Sequence, residues 1–129
     1  MRGVWVGGLL LAIGLAACST DEGQQVPDQW EERASLPSCG EVTVDLLERL
    51  EKVGRSELAC LSASMTSGKG AELVVRSSTK EGDPVTTYYR VTPAGTTEVY
   101  IDRTGDENSG QDWGFAECKE PESVLDANC

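Results

Sequence analysis

The chain contains no histidine among its 129 residues, and only 5% of them are aromatic, with a single phenylalanine. Without histidine, neither a Ser-His-Asp nor a Cys-His catalytic arrangement can form, and histidine-ligated metal sites are excluded. Basic residues are also scarce: 11 Lys and Arg stand against 22 Asp and Glu, so the formal net charge is −11. This acidic balance excludes recognition of nucleic acid, which requires a basic surface. The length suits one domain.

The longest apolar run spans residues 4–17, follows the cation of Arg2 and contains no charged residue. It is too short for an ordinary transmembrane helix, which needs about 20 residues. A positive start followed by such a run is the pattern of a secretory signal peptide. The tetrapeptide Leu-Ala-Ala-Cys at residues 15–18 resembles the bacterial lipobox, which implies that the Cys18 thiol accepts a diacylglyceryl group. We therefore predict a lipoprotein signal peptide at residues 1–17, with an ordinary signal peptide and an unlipidated cysteine as the alternative.

Residues 19–38 are polar and acidic, with two prolines and few aliphatic side chains. Such a segment buries too little apolar surface to offset the entropy that is lost when its backbone is ordered. We predict that residues 18–38 form a lipidated cysteine followed by a flexible acidic tether, which holds the domain away from the lipid headgroups. Trp30 is the exception within this tether, and we interpret it as a partly exposed linker residue rather than a docking anchor.

The remaining segment, residues 39–129, is predicted to be a single small domain. Its aliphatic content is low for a folded core, and it contains four cysteines. A thin core and an even number of cysteines in an exported domain indicate disulfides. Four cysteines permit three pairings, of which we favour the local pairs Cys39–Cys60 and Cys118–Cys129. A zinc site is the alternative, and the lack of any Cys-x-x-Cys spacing argues against it.

The hydrophobic periodicity predicts an α+β fold. Apolar residues recur at helical spacing in residues 45–53, which Asp45 would cap, and again in residues 56–66. Residues 41–44 alternate as a short strand does, and longer β-branched segments follow between turn sequences. We expect one or two helices on one face of a small antiparallel sheet of about four strands, stapled by disulfides. The strands are predicted at residues 72–77, 85–92, 98–103 and 113–118.

The oxygen-bearing side chains of Asp102, Asp106 and Asn108 alternate along one loop, as calcium ligands do. The loop lacks the glycine and the final glutamate of an EF-hand, so we interpret it first as an acidic turn whose side chains bond the local backbone. A weak Ca²⁺ site is the alternative interpretation.

A second candidate is the carboxylate pair Glu81 and Asp83 in the sequence Thr-Lys-Glu-Gly-Asp-Pro at residues 79–84. Paired carboxylates divide acid and base roles in glycosidases, but that division requires a cleft and a raised pKa for one member. Because the pair lies next to glycine and proline, we expect a solvated turn, and a carboxylate-based hydrolase is the less favoured alternative.

Tyr88, Arg90 and Tyr100 are expected on the strand face opposite Val91 and Ile101. Tyr and Arg are enriched at binding hot spots, so this face is a candidate recognition surface. The opposing interpretation, in which the helices cover the face and the tyrosines belong to the core, has equal weight.

Three features together resemble a family of small bacterial lipoproteins that carry a domain of unknown function. They are the sequence at residues 79–84, the sequence Asp-Arg-Thr-Gly-Asp at residues 102–106, and Trp113 followed by Cys118. The resemblance implies an exported, membrane-tethered domain and brings no known activity.

These observations predict a non-enzymatic lipoprotein on the extracytoplasmic side of a bacterial cell membrane. We expect a monomer without a cofactor, attached to the membrane through lipidated Cys18. Its partner is expected to be a protein, an envelope polymer or a small ligand rather than nucleic acid. A weak Ca²⁺-dependent module and a carboxylate-based hydrolase are the alternatives.

Overall fold

The computed structural model describes residues 22–129, so the predicted signal peptide and Cys18 lie outside the described residues. Within that range the fold is α+β, and no helix has the length and apolar composition needed to cross a bilayer. The elements in chain order are α1 (Glu22–Glu31), β1 (Ser38–Thr43), α2 (Leu50–Val53), α3 (Arg55–Ser67), β2 (Ala71–Ser78), β3 (Pro84–Val91), β4 (Thr97–Asp102) and β5 (Trp113–Cys118).

The strands form one sheet in the order β1-β2-β3-β4-β5. The last four strands are antiparallel neighbours and lie where the sequence predicts them. The expected antiparallel sheet of about four strands is confirmed only in part, because β1 adds a fifth strand that pairs parallel to β2. The alternation at residues 41–44 indicated a short strand here, and β1 confirms it with bounds shifted toward the N-terminus; only Val42 of this edge strand is buried. The two strands are parallel because α3, which lies between them in the chain, carries the backbone back to the end of the sheet at which β1 began.

Helix α3 covers one face of the sheet and closes the main hydrophobic core. Leu61 from α3 is fully buried and packs with side chains of β1, β2 and β3. The helix ends at Gly68, whose positive φ of 73° supplies the left-handed residue common after a helix C-terminus. The prediction of a helix at residues 56–66 therefore holds to within a residue at each end. The core comprises Val42, Leu61, Ala71, Leu73, Val75, Val91 and Val124.

The predicted helix at residues 45–53 is mostly wrong, since only α2 at its end is helical. Asp45 and Glu48 instead close a turn: the Glu48 N–H donates to the Asp45 carbonyl at 2.9 Å, and the Glu48 carboxylate accepts from the Asp45 N–H at 3.2 Å. Leu46 and Leu47 retain 59% and 100% of their exposure, so they contribute nothing to the core. The helical spacing of these leucines fails because no neighbouring surface faces them.

Two disulfides reinforce the thin core, and they join the favoured pairs. Cys39 of β1 is bonded to Cys60 of α3 with Cα atoms 5.7 Å apart, and Cys118 is bonded to Cys129 with Cα atoms 5.1 Å apart. The first bond fastens α3 to the edge strand. The second folds the C-terminal segment back, so that Val124 enters the core. The buried Thr97 hydroxyl donates to the Asp126 carbonyl and holds the same segment.

Each disulfide should contribute about 3 kcal/mol, because it closes a loop that would otherwise gain entropy on unfolding. We expect C39S/C60S and C118S/C129S, each in a C18A background, to lower the free energy of urea unfolding by about 2–5 kcal/mol. The exposed Ser62→Ala serves as the control and should leave that free energy within about 0.5 kcal/mol. Two or more reactive thiols in the denatured, unreduced C18A chain would overturn the assignment.

Candidate functional site

The sheet face opposite α3 carries four aromatic rings, here called the aromatic face: Tyr88, Tyr100, Trp113 and Phe115. Strand register brings them together, because Tyr88 pairs with Tyr100 and Tyr100 pairs with Phe115 across neighbouring strands. The rings of Tyr100 and Phe115 have centroids 4.8 Å apart. Arg90 lies on the same face, two residues along β3 from Tyr88. The strands therefore place the three residues of the predicted recognition surface side by side.

Trp30, at the end of α1, packs on this aromatic face. Its ring centroid lies 4.0 Å from that of Tyr88, 5.1 Å from that of Tyr100 and 5.9 Å from that of Trp113. Trp30 is partly exposed, as predicted, but its interpretation as a linker residue rather than a docking anchor is wrong, because its ring packs on the sheet. The indole finds a large complementary surface only after three separate strands have paired, which is why its local sequence gave no sign of it.

Arg33 extends this contact beyond the helix. Its guanidinium carbon lies 3.2 Å from the Trp30 ring centroid, a cation–π arrangement. Its Nη1 donates to the Trp30 carbonyl at 2.9 Å, and its Nε donates to the Glu72 carboxylate at 3.3 Å. Residues 22–36, here called the arm, thus differ from the predicted flexible tether, since they contain a helix and are docked on the sheet through Trp30 and Arg33.

Arg90 is the most deeply buried charge among the described residues, with a side chain only 3% exposed. Its guanidinium pairs with Glu72 on one neighbouring strand and with Glu98 on the other. Its Nη2 donates to the Ala34 carbonyl of the arm at 2.7 Å. These partners replace the water that a buried guanidinium loses, and they connect the arm to the sheet.

The predicted recognition surface is therefore covered in this structure. Tyr100 is 2% exposed and Arg90 3%, while Tyr88 is partly exposed. The cover is the arm, not the two helices predicted at residues 45–66. The sequence left open which face would be covered, because the arm is polar apart from Trp30 and gives no local sign that it packs on the sheet.

A cavity of about 400 Å³ remains between the arm and the sheet. Its size is within the range of small-ligand sites. Two cations face it, Arg33 and Arg90, and each is paired with a carboxylate, so the charge of the walls is nearly balanced. The lining residues are Gln29, Glu32, Arg33, Ala34, Leu36, Arg90, Thr92, Pro93, Glu98 and Tyr100.

Burial governs the protonation of the phenols on the aromatic face. Desolvation, followed by the nearby Asp102 carboxylate, raises the pKa of Tyr88. Desolvation, followed by Glu98, likewise raises the pKa of Tyr100. Both phenols are therefore neutral near pH 7 and able to donate hydrogen bonds.

The acidic loop between β4 and β5 uses its side chains on its own backbone. The Asp102 carboxylate accepts from the Thr104 N–H at 2.9 Å and from its hydroxyl at 2.7 Å, and the Asp106 carboxylate accepts from the Asn108 N–H at 2.9 Å. These contacts are Asx turns. Over residues 22–129 no group of three or more His, Cys, Asp or Glu side chains is placed to hold a metal ion.

The carboxylates Glu81 and Asp83 lie on the turn between β2 and β3. This turn closes through Thr79, whose carbonyl accepts from the Gly82 N–H at 3.0 Å and whose hydroxyl accepts from the Asp83 N–H at 3.1 Å. Partial desolvation, followed by repulsion from Asp106, raises the pKa of Asp83. The two motif loops are thus neighbours, a proximity that their separate sequences do not reveal.

The close approach of those loops requires Gly105. A Cβ at this position would lie 2.6 Å from Pro84 Cγ, so any other residue would force the loops apart. The two sequences that carry the family resemblance therefore form one packed loop pair at the end of the sheet.

One further pair, Ser77 and Lys80, has the spacing of a Ser-x-x-Lys motif that sequence inspection overlooked. In enzymes with this motif the lysine contacts the nucleophilic serine. Here Ser77 lies on β2 and Lys80 is exposed on the following turn. No contact between them is observed, so the spacing alone carries no catalytic argument.

Comparison with protein-family models, with curated proteins and with solved structures finds no match for this chain.

A buried and an exposed arginine offer a matched test of how much the ion pairs of Arg90 with Glu72 and Glu98 stabilise the fold. Arg90→Met should lower the free energy of unfolding by about 3–5 kcal/mol, because it leaves the Glu98 carboxylate without its ion-pair partner and leaves Glu72 with Arg33 alone. Arg76 is 55% exposed and pairs with Glu41, so Arg76→Met should cost less than about 1 kcal/mol. Urea denaturation of both variants measures the difference, and equal losses would contradict the role assigned to Arg90.

Stability should fall as the pH rises above about 10, the ordinary pKa of tyrosine. The folded-state pKa of Tyr88 is raised, so the unfolded chain releases its phenolic proton first and alkaline conditions favour unfolding. Tyr88→Phe should make this alkaline decline less steep. Unfolding midpoints at pH 8 and at alkaline pH test it, and an unchanged pH slope would contradict the assignment.

Proposed function

We propose that this chain is a bacterial lipoprotein on the extracytoplasmic side of the cell membrane, anchored through a diacylglyceryl group on Cys18. Its domain acts as a non-enzymatic binding module. The observation that carries the proposal is a lipobox-like tetrapeptide at residues 15–18 ahead of a small disulfide-bonded domain. Disulfides persist in the oxidising compartments where lipoproteins are displayed, so both features point to the same place.

Binding is favoured over catalysis by the chemistry of the site. The cavity under the arm places paired arginines and carboxylates beside the Tyr100 ring, an arrangement suited to holding a ligand. Because its charges are nearly balanced, the cavity suits a neutral or zwitterionic group better than a strong anion. The carboxylate pair once considered for hydrolysis, Glu81 and Asp83, lies on a turn away from these walls.

The docked arm shortens the distance between the domain and the bilayer. Glu22 follows Cys18 by four residues, which span at most about 14 Å when extended, and α1 adds roughly 15 Å. A fully extended segment from Cys18 to Ser38 would instead reach about 70 Å. The proposed lipoprotein therefore holds its domain close to the headgroups while the arm is docked.

Anchoring is tested by Cys18→Ala in the native host, with globomycin treatment of the wild type in parallel. Cys18→Ala should abolish labelling by radioactive palmitate, because the thiol that accepts the diacylglyceryl group is lost, and with it the durable attachment that two or three acyl chains provide. Globomycin inhibits the signal peptidase, which cuts after acylation, so it should leave a larger precursor that is still labelled.

Ser19→Ala provides the matched control, since it changes the neighbouring residue and preserves the thiol. It should remain labelled and membrane-bound. A Cys18→Ala protein that still incorporates palmitate would contradict the proposed anchor.

A further inference from the structure

We propose that the arm is exchangeable and that the aromatic face is a docking surface for a protein segment with a tryptophan three residues before an arginine. The arm itself displays the recognition pattern, with Trp30 on the rings and Arg33 at Glu72. A partner segment with the same chemistry would replace it. The inference deepens the proposed binding role and is independent of the lipid anchor.

The rings define the principal pocket for such a segment. Tyr88, Tyr100 and Trp113 surround Trp30 with centroid distances of 4.0, 5.1 and 5.9 Å. Clusters of tyrosine and tryptophan that bury a partner's aromatic side chain are typical of interface hot spots. An indole is therefore the side chain that this surface fits.

The polar contacts show that the occupant is a peptide rather than an isolated ring. Glu72 accepts from the Arg33 guanidinium in addition to Arg90, so it favours a cation on the occupant. The buried Arg90 donates to the Ala34 carbonyl, which requires backbone from the occupant one residue further on. Together these contacts specify a tryptophan, an arginine three residues later and an extended backbone after it.

The construction of the interface permits exchange. The arm contributes no strand, so its release leaves all five strands and the core beneath α3 paired as before. A cavity of about 400 Å³ that is open to solvent also lies at the edge of the contact between the arm and the sheet. A competing segment can enter at this opening before the arm has left.

The experiment uses the full chain with Cys18→Ala, with and without Trp30→Ala, and a fluorescent peptide of residues 25–37 (QVPDQWEERASLP). The peptide should bind the Trp30→Ala chain with saturable anisotropy. Binding to the chain that retains Trp30 should be weaker by about ten-fold or more, because its own arm occupies the face. A matched peptide with Trp30→Ala should lose about ten-fold or more in affinity for the Trp30→Ala chain.

Arg33→Ala in the chain provides a second variant that keeps Trp30, should Trp30→Ala fail to fold. It removes the cation–π contact and the Glu72 pair, so peptide affinity should lie between those of the other two chains. Glu31→Ala is the neighbouring control and should match the chain with the intact arm. Far-UV circular dichroism and the absence of free thiols establish that each variant is folded.

The proposal is wrong if folded Trp30→Ala and Arg33→Ala chains fail to bind the peptide up to about 1 mM, a concentration that would detect an interaction of only about 4 kcal/mol. Equal binding of the two peptides would also overturn it. A dimer that forms with the intact arm and disappears with Trp30→Ala would support exchange and identify a second copy as the occupant. None of these outcomes depends on acylation, so failure of the anchor and failure of exchange are distinguishable.

Discussion

A single sheet has two faces to cover, and within residues 22–129 one substantial helix, α3, packs into the core. Helix α3 covers the face formed by Leu73, Val75 and Val91. The opposite face, with Tyr88, Tyr100 and Phe115, would expose a large aromatic area if nothing lay on it. Trp30 and Arg33 supply that cover from a segment that is otherwise polar. The arrangement of the arm, the buried arginine and the cavity all follow from this requirement.

The buried guanidinium of Arg90 links the two halves of that arrangement. It needs compensation for its lost hydration, and it obtains this from Glu72 and Glu98 on the flanking strands. Its remaining partner is the Ala34 carbonyl, so the same charge that joins the flanking strands also holds the arm. The proposed binding at this face and the attachment of the arm are therefore connected, because an occupant that replaced the arm would meet the same guanidinium.

The disulfides compensate for a core that contains few large side chains. Cys39–Cys60 holds α3 to the edge strand, whose own packing rests on Val42. Cys118–Cys129 holds the C-terminal segment, which lacks regular structure but contributes Val124 to the core. A small domain gains from such crosslinks because its hydrophobic burial alone is limited.

Local sequence patterns predicted those helices and strands whose apolar residues face the core in the folded protein. The alternation at β2 to β5 and the glycine that ends α3 were enough to predict four strands and one helix. The even number of cysteines indicated disulfides, and of the three possible pairings the favoured local one is observed. The lipobox-like tetrapeptide likewise needs no tertiary structure to be recognised. The leucines at 46 and 47 misled the same reasoning, because periodicity predicts a helix only where a partner surface exists to bury it.

Only the tertiary structure decided three features: the parallel pairing of β1, the cover on the aromatic face, and the contact between the two turns that hold Pro84 and Gly105. β1 became a strand because α3 brought it beside β2, not because its sequence requires it. Trp30 became an anchor because three strands had already assembled a surface of its shape. Pro84 and Gly105 came into contact because two turns lie at the same end of the sheet. In each case the decisive contact joins residues far apart in sequence, and local propensity carries no information about such contacts.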